Sequence, residues 1–236
     1  MFPTLDTIMT DDSLRALRRA NQIRHNGAMQ KIVFTLLVVL CCGVTAQADE
    51  HKILVLGDSL SAAFGISQEQ GWVALLQQRL TRTGEKYQVI NASISGETTA
   101  GGLSRLPALL QRHEPDIVIL ELGANDGLRG LSLNDMHANL ARMIELSRAR
   151  GAEVLLLGMQ LPPNYGPTYT RQFHEVYARL AESEDVALVP FLLAGVAQQR
   201  SLFQADGLHP SAAAQDELLE NVWDKLQSLL TTSGAV

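Results

Sequence analysis

Residues 116–122 read Asp116-Ile117-Val118-Ile119-Leu120-Glu121-Leu122. Four branched apolar side chains stand in a row between the two acids, with no polar alternation. A strand with one wet face alternates apolar and polar residues; a strand covered on both faces need not. The stretch therefore predicts a strand buried inside a layered α/β domain. Working outward, comparable short apolar runs occur at 52–56, 87–91, 153–157 and 186–189. Between and beyond them, the segments 70–82, 99–112, 133–150, 169–184 and 210–230 repeat apolar residues three and four apart. That is the spacing of an amphipathic helix, and its apolar stripe is read as core packing. Strand–helix alternation predicts parallel strands joined by right-handed crossovers. The expected fold is a three-layer α/β/α sandwich around a five-stranded parallel sheet. In such sheets a site forms at the carboxyl ends of the strands.

Four segments fall where that rule puts chemistry. Gly57-Asp58-Ser59-Leu60-Ser61 follows the first strand, and Asn91-Ala92-Ser93-Ile94-Ser95-Gly96 follows the second. Gly123-Ala124-Asn125-Asp126-Gly127 follows the third, and Asp206-Gly207-Leu208-His209-Pro210 precedes the last helix. Each has a bland explanation alone. Asp58 or Ser59 can cap a helix, Gly96 can close a loop at positive φ, the Asn125 segment is an ordinary turn, and Pro210 can open a helix. Together they are complementary. A serine hydroxyl is a weak nucleophile until a base takes its proton, and a histidine base needs a third group on its other ring nitrogen. Asp206 stands three residues from His209, within reach in a tight turn. An oxyanion needs convergent donors, for which the backbone N–H groups of Ser59 and Gly96 and the side-chain amide of Asn125 are candidates.

These residues resemble the SGNH, or GDSL, hydrolase family from about Lys52 to Leu230. The family's four invariant roles fall on Ser59, Gly96, Asn125 and His209, with Asp206 in the Asp-x-x-His block. Within the family the chain is most similar to the bacterial periplasmic acyl-CoA thioesterase I/lysophospholipase/arylesterase subgroup. That similarity also runs through Arg105-Leu106-Pro107-Ala108-Leu109-Leu110, Glu121–Gly130 and Leu161-Pro162-Pro163-Asn164-Tyr165-Gly166. The subgroup often has glycine where this chain has Ala124. The resemblance implies a flavodoxin-like sandwich and a serine esterase/thioesterase acting on acyl esters and thioesters through a Ser59–His209–Asp206 triad. It also implies that loops at 127–131 and 160–169 wall the acyl group. Gly127, Leu128, Leu131, Leu161 and Tyr165 are the candidate substrate contacts, with the faces of Tyr165 and Tyr169 toward the acyl chain. An O-deacetylase of cell-envelope carbohydrate and a catalytically silent lipid-binding module remain the competing readings.

No cofactor or metal is expected. His113, His137, His174 and His51 make no metal-ligand spacing with one another or with cysteine,. Glycine-rich phosphate loops and a G-x-S-x-G elbow are absent from the sequence. Glu121, a carboxyl inside an apolar strand, is costly to bury without hydrogen bonds and is read as support for the loops beside it. The net charge of −6 and an aromatic content of 5% argue against a nucleic-acid partner,. The expected partner is a small acyl ester or thioester bound by a monomer.

Both cysteines, Cys41 and Cys42, lie in the apolar run 32–44. Gln30-Lys31 precedes that run and Ala46-Gln47-Ala48 follows it. A positive residue, a short apolar core and an Ala-x-Ala site make a signal peptide over 29–48. A buried helix or a membrane anchor is the alternative, but the run is short for a permanent span. Cleavage after Ala48 would yield a cysteine-free periplasmic or secreted domain, 49–236, with no stable anchor. Residues 1–28 read as an upstream extension, disordered or not translated, or else as a short basic helix carrying Arg15, Arg18 and Arg19.

Overall fold

The computed structural model describes residues 51–233, without the side chains of 231–233, and before them Arg15, Ala16, Arg18, Arg19 and Gln22, which are helical and exposed. The signal-peptide reading at 29–48 lies outside the described residues. Contacts divide the chain into two units, 1–49 and 50–236. The second is described from here on.

It alternates strands and helices throughout. β1 (His51–Gly57), α1 (Trp72–Thr83), β2 (Tyr87–Asn91), α2 (Thr99–His113) and β3 (Ile117–Glu121) come first. A short α3 (Ala124–Leu128), α4 (Leu133–Arg148), β4 (Glu153–Leu157), α5 (Pro167–Glu184), β5 (Ala187–Val189) and α6 (Gln215–Ser233) follow. The strands form one five-stranded sheet in the order β2-β1-β3-β4-β5, and every pairing is parallel. This is the flavodoxin-like doubly wound order. α1 packs with α6 on one face, and α2, α4 and α5 pack in succession on the other. β1 and β3 are buried almost along their whole length, as their unbroken apolar runs require. Trp72, Leu76, Leu140, Phe173, Val176 and Leu218 are among the fully buried side chains through which the helices meet the sheet.

Two boundaries differ from the sequence reading in ways that matter for the site. The asparagine segment is the five-residue helix α3 rather than a turn, so Asn125 stands in a helical first turn. The last helix begins at Gln215, not Pro210, after a 3₁₀ turn at Ala212–Ala214. Pro210 instead forms an antiparallel bridge with Phe203. Gln204 N–H donates to His209 O at 2.8 Å and Ser211 N–H to Leu202 O at 2.7 Å. Those bonds hold residues 209–211 extended, which excludes a helix start there.

Candidate active site

The site sits at the carboxyl ends of the neighbouring strands β1 and β3, whose onward connections lead in opposite directions, to β2 and to β4. A crevice opens at the strand ends at such a switch point. Ser59 is two residues past the end of β1. Asp58 accepts the Leu60 N–H on Oδ1 at 3.0 Å, a side-chain-closed turn that aspartate favours. Ala62 N–H donates to Asp58 O and Phe64 N–H to Ser59 O, at 3.0 and 3.1 Å. The nucleophile candidate is thus fixed in a helix-like turn with its side chain half-buried.

His209 reaches Ser59 from a separate loop. Its Nε2 lies 3.0 Å from Ser59 Oγ, and its Nδ1 lies 2.7 Å from Asp206 Oδ2. The carboxylate on Nδ1 calls for the imidazole proton there, leaving Nε2 to accept from the serine hydroxyl. Asp206 Oδ1 also accepts the N–H groups of Leu208 and His209, at 2.9 and 3.0 Å. The His209 hydrogen bond, followed by the two backbone bonds, holds the Asp206 carboxyl below the usual carboxylate range, although its side chain is 41% exposed. The Phe64 ring lies 4.4 Å from the imidazole, centroid to centroid, and shelters one side of it.

Residues outside any recognisable motif anchor this loop. Arg200 donates to the carbonyls of Gln204 and Ala205 at 2.8 and 3.0 Å. Gln204 donates through Nε2 to Phe64 O at 2.7 Å, tying the histidine loop to the serine turn. No composition or spacing signal pointed to either residue.

The oxyanion candidates converge on the same crevice. Gly96 has φ +80°, in the left-handed region open to glycine, and its carbonyl accepts from Arg129 Nη2 at 2.8 Å. Arg129 therefore bonds the loop after β2 rather than standing free. Asn125 donates one amide N–H to Asp58 Oδ2 at 3.0 Å, and its second amide hydrogen has no protein partner among the described residues. Ser59, Gly96, Asn125 and His209 line one cleft of about 690 Å³, a size suited to a small-molecule site. Among the described residues no group of three or more His, Cys, Asp and Glu is placed to hold a metal.

Residues 55–216 match the model of the GDSL-like lipase/acylhydrolase family. The chain belongs to that family. It is 57% identical over 187 residues to esterase TesA of Pseudomonas aeruginosa, covering 79% of this chain and 93% of that protein. It is 41% identical over 195 residues to the thioesterase 1/protease 1/lysophospholipase L1 of Escherichia coli K12, covering 83% of this chain and 91% of that one. A crystal structure of TesA, 57% identical, superposes with a TM-score of 0.75 over 76% of this chain and 99% of that chain.

Within this family member, the cleft walls depart from the sequence reading. Leu128 and Leu161 line the cleft; Gly127, Leu131 and Tyr165 do not. Gly127 is buried where Phe173 and Leu161 close over it. Leu131, in the connection into α4, is 44% exposed. The tyrosines use their hydroxyls, not their faces: Tyr165 donates to Leu128 O at 3.0 Å and Tyr169 to Gly127 O at 3.2 Å. They brace the C-terminal end of α3. A third wall comes from the chain after β5, through Phe191, Leu193 and Phe203. The helical periodicity that located other packing residues is missing from that segment, so only the folded chain brings it to the cleft.

Proposed function

We propose that the chain releases acyl groups from esters and thioesters through an acyl-enzyme on Ser59. His209 Nε2 takes the proton of Ser59 Oγ as the oxygen bonds to the acyl carbon. The charge that develops on the carbonyl oxygen is met by the N–H groups of Ser59 and Gly96 and the free amide hydrogen of Asn125. His209 then passes its proton to the departing alkoxide or thiolate. Water, losing a proton to the same nitrogen, attacks the acyl carbon and frees the acid, and the proton returns to Ser59. Asp206 keeps the imidazole oriented and stabilises its charged form. The mechanism uses no metal and no cofactor.

The observation that carries this reading is the continuous Ser59–His209–Asp206 chain, 3.0 and 2.7 Å, at the wall of a cleft lined by Leu128, Met159, Leu161, Phe191 and Phe203. The exposed large apolar side chains support a lipid-like acyl group. Phe64 and Leu208, two of the exposed large apolar side chains, line the cleft itself. Lysophospholipids, aryl esters and acyl-CoA thioesters are the substrates this favours. The test is a panel of p-nitrophenyl esters from acetyl to palmitoyl, with lysophosphatidylcholine and an acyl-CoA alongside. Medium or long acyl groups are expected to give the highest kcat/KM. A preference confined to acetyl would favour the envelope-carbohydrate deacetylase, and no hydrolysis at all would leave a lipid-binding module.

Chain-length preference follows from the wall. Leu161→Phe enlarges a residue that faces the cleft and is expected to shift the optimum to shorter esters. Each methylene that loses its contact costs roughly 0.8 kcal/mol, about fourfold in kcat/KM. Leu131→Ala is expected to keep the wild-type profile, because Leu131 lies off the wall. Profiles measured across the ester series check both, and an unshifted optimum in Leu161→Phe would place the acyl group elsewhere.

Export is inferred from the sequence pattern at 29–48. No helix among the described residues is long and apolar enough to cross a membrane. N-terminal sequencing of the protein recovered from the periplasm is expected to begin at Asp49. Recovery in the membrane fraction with the apolar run intact would favour the anchor instead. The working unit is taken as a monomer, which sedimentation of the mature domain tests.

A further inference from the structure

Beneath Ser59 lies a polar cluster that the proton relay through His209 does not use. Asp58 and Glu121 are 1% and 0% exposed. Glu121 ends β3 and pairs in register with Gly57, the last residue of β1. Only a residue without a side chain admits it there: a Cβ on Gly57 would stand 2.7 Å from Glu121 Oε2. Glu121 Oε2 accepts the Asp58 N–H at 3.1 Å and the Ser61 hydroxyl at 2.8 Å. Its Oε1 is buried without a hydrogen-bond partner. Asp58 accepts from two donors, Leu60 N–H and the Asn125 amide, each at 3.0 Å. No lysine or arginine forms an ion pair with either carboxyl among the described residues.

Two neighbouring carboxyls without a cation cannot both ionise at low cost in a buried site. The donors decide which keeps its proton. Asp58 sits between two N–H groups, one on each oxygen, and an anion suits both. Glu121 is wholly buried and one of its oxygens accepts nothing, so a charge there would go uncompensated, whereas a proton removes that charge and can be shared with the Asp58 carboxylate. We propose that Glu121 is a positioning residue, held as the un-ionised acid beside an ionised Asp58. The pair, carrying a single negative charge, holds the Asn125 amide and the Ser59 turn in place for oxyanion binding. This rests on the oxyanion role given to Asn125 above.

The electrostatic surroundings agree. Burial pushes the Asp58 carboxyl up to about 6, against the pull of the Leu60 N–H, of a hydrogen bond with Glu121, of His209 and of the Asn125 amide. Burial, and then the Asp58 charge, push Glu121 well above the ordinary glutamate range. The other ionisable neighbours are Tyr177 of α5 and Asp126 of α3. Tyr177 donates to Leu122 O at 3.0 Å, and its phenol is itself raised by burial. Asp126 is occupied by the N–H and hydroxyl of Thr99, at 2.9 and 2.6 Å. Neither supplies a positive charge.

The sign of the pH dependence follows. A carboxyl that titrates higher in the native state than in the unfolded chain leaves the native state binding more protons between those two values. The contribution of protonated Glu121 is complete below the ordinary glutamate range. It is lost as pH rises from there through the raised native value. Glutamine imitates the un-ionised acid, with one oxygen to accept and an N–H to donate, and it cannot ionise.

The experiment compares wild type, Glu121→Gln and Glu121→Ala for melting temperature from about pH 5 to about pH 9, and for kcat and KM on a p-nitrophenyl ester. The melting temperature of Glu121→Gln should gain on wild type steadily as pH rises. Glu121→Ala should lose about tenfold or more in kcat with little change in KM, as expected when a buried donor is left unpaired, and Glu121→Gln should restore most of that loss. An infrared carbonyl band of an un-ionised carboxylic acid should be present in wild type at neutral pH and absent from Glu121→Gln. A Glu121→Gln melting temperature below wild type by a constant amount at every pH, or a missing band, would show an ionised Glu121 and overturn the proposal. Full kcat in Glu121→Ala would overturn the positioning role. If Ser59 were not the nucleophile, the melting and infrared results would still report the charge state, so the two failures are separable.

Discussion

Replacing Ser59 with alanine is expected to lower kcat/KM for a short p-nitrophenyl ester by about 10⁴ or more, the scale typical of losing the nucleophile of a serine triad. The substitution removes one oxygen. That oxygen's hydrogen-bond partner is His209 Nε2 at 3.0 Å, and nothing in the core depends on it. The serine turn is closed by Asp58 and by backbone bonds at Ala62 and Phe64, all of which alanine keeps. Stability should therefore stay within about 0.5 kcal/mol of wild type, as for other substitutions that touch no packing or buried network. The cleft walls are also intact, so the variant should still bind a fatty acid product. A fluorophosphonate should label wild type on Ser59 alone and leave Ser59→Ala unlabelled. Activity within tenfold of wild type in a correctly folded variant would remove Ser59 as nucleophile and leave His209 without the hydroxyl whose proton it takes.

The parts of this molecule that were legible in its sequence are those whose residue types state their environment. β1 and β3 are covered on both faces, and their sequences contain little but branched apolar residues. Ser59, Gly96, Asn125 and His209 follow strands or precede a helix in an order that the doubly wound topology brings to one rim. Contacts made by hydroxyls and carbonyls across long sequence separations were not legible. Tyr165 and Tyr169 look like apolar wall residues, yet their hydroxyls donate to carbonyls at the end of α3. The chain after β5 has no periodicity because it is neither strand nor regular helix, so Phe191 and Phe203 gave no sign of facing the cleft. Pro210 reads locally as a helix start, and its extended conformation follows from bonds to Leu202 and Gln204. Glu121 did show itself as a carboxyl in an apolar strand, but its partners lie on the turn after β1.

Asn125→Ala is expected to lower kcat by about 10²–10³ while moving KM much less, the loss that follows removal of one oxyanion donor. The amide has two hydrogens with different tasks. One is held by Asp58 Oδ2 at 3.0 Å, which fixes the plane of the amide; the other, without a partner among the described residues, is the one proposed to meet the oxyanion. Because the bond to Asp58 exists before substrate arrives, the donor needs no reorganisation as charge builds on the carbonyl oxygen. An interaction that strengthens only as the charge forms is lost from kcat rather than from KM. Alanine also takes a donor from a buried carboxylate, which costs about 1–3 kcal/mol of stability, so the melting temperature should fall as well. Asn125→Asp separates the two effects. It retains the size of the side chain but turns a donor into an acceptor, facing both Asp58 and the developing oxyanion. Its kcat should fall below that of Asn125→Ala, and its activity should recover in part at low pH as the new carboxyl is protonated. Steady-state kinetics of both variants on one ester, with melting curves as the control for folding, decide the matter. A kcat near wild type in Asn125→Ala would leave the oxyanion to the backbone N–H groups of Ser59 and Gly96 alone. The Asp58–Asn125 hydrogen bond would then serve only to hold α3 against the serine turn.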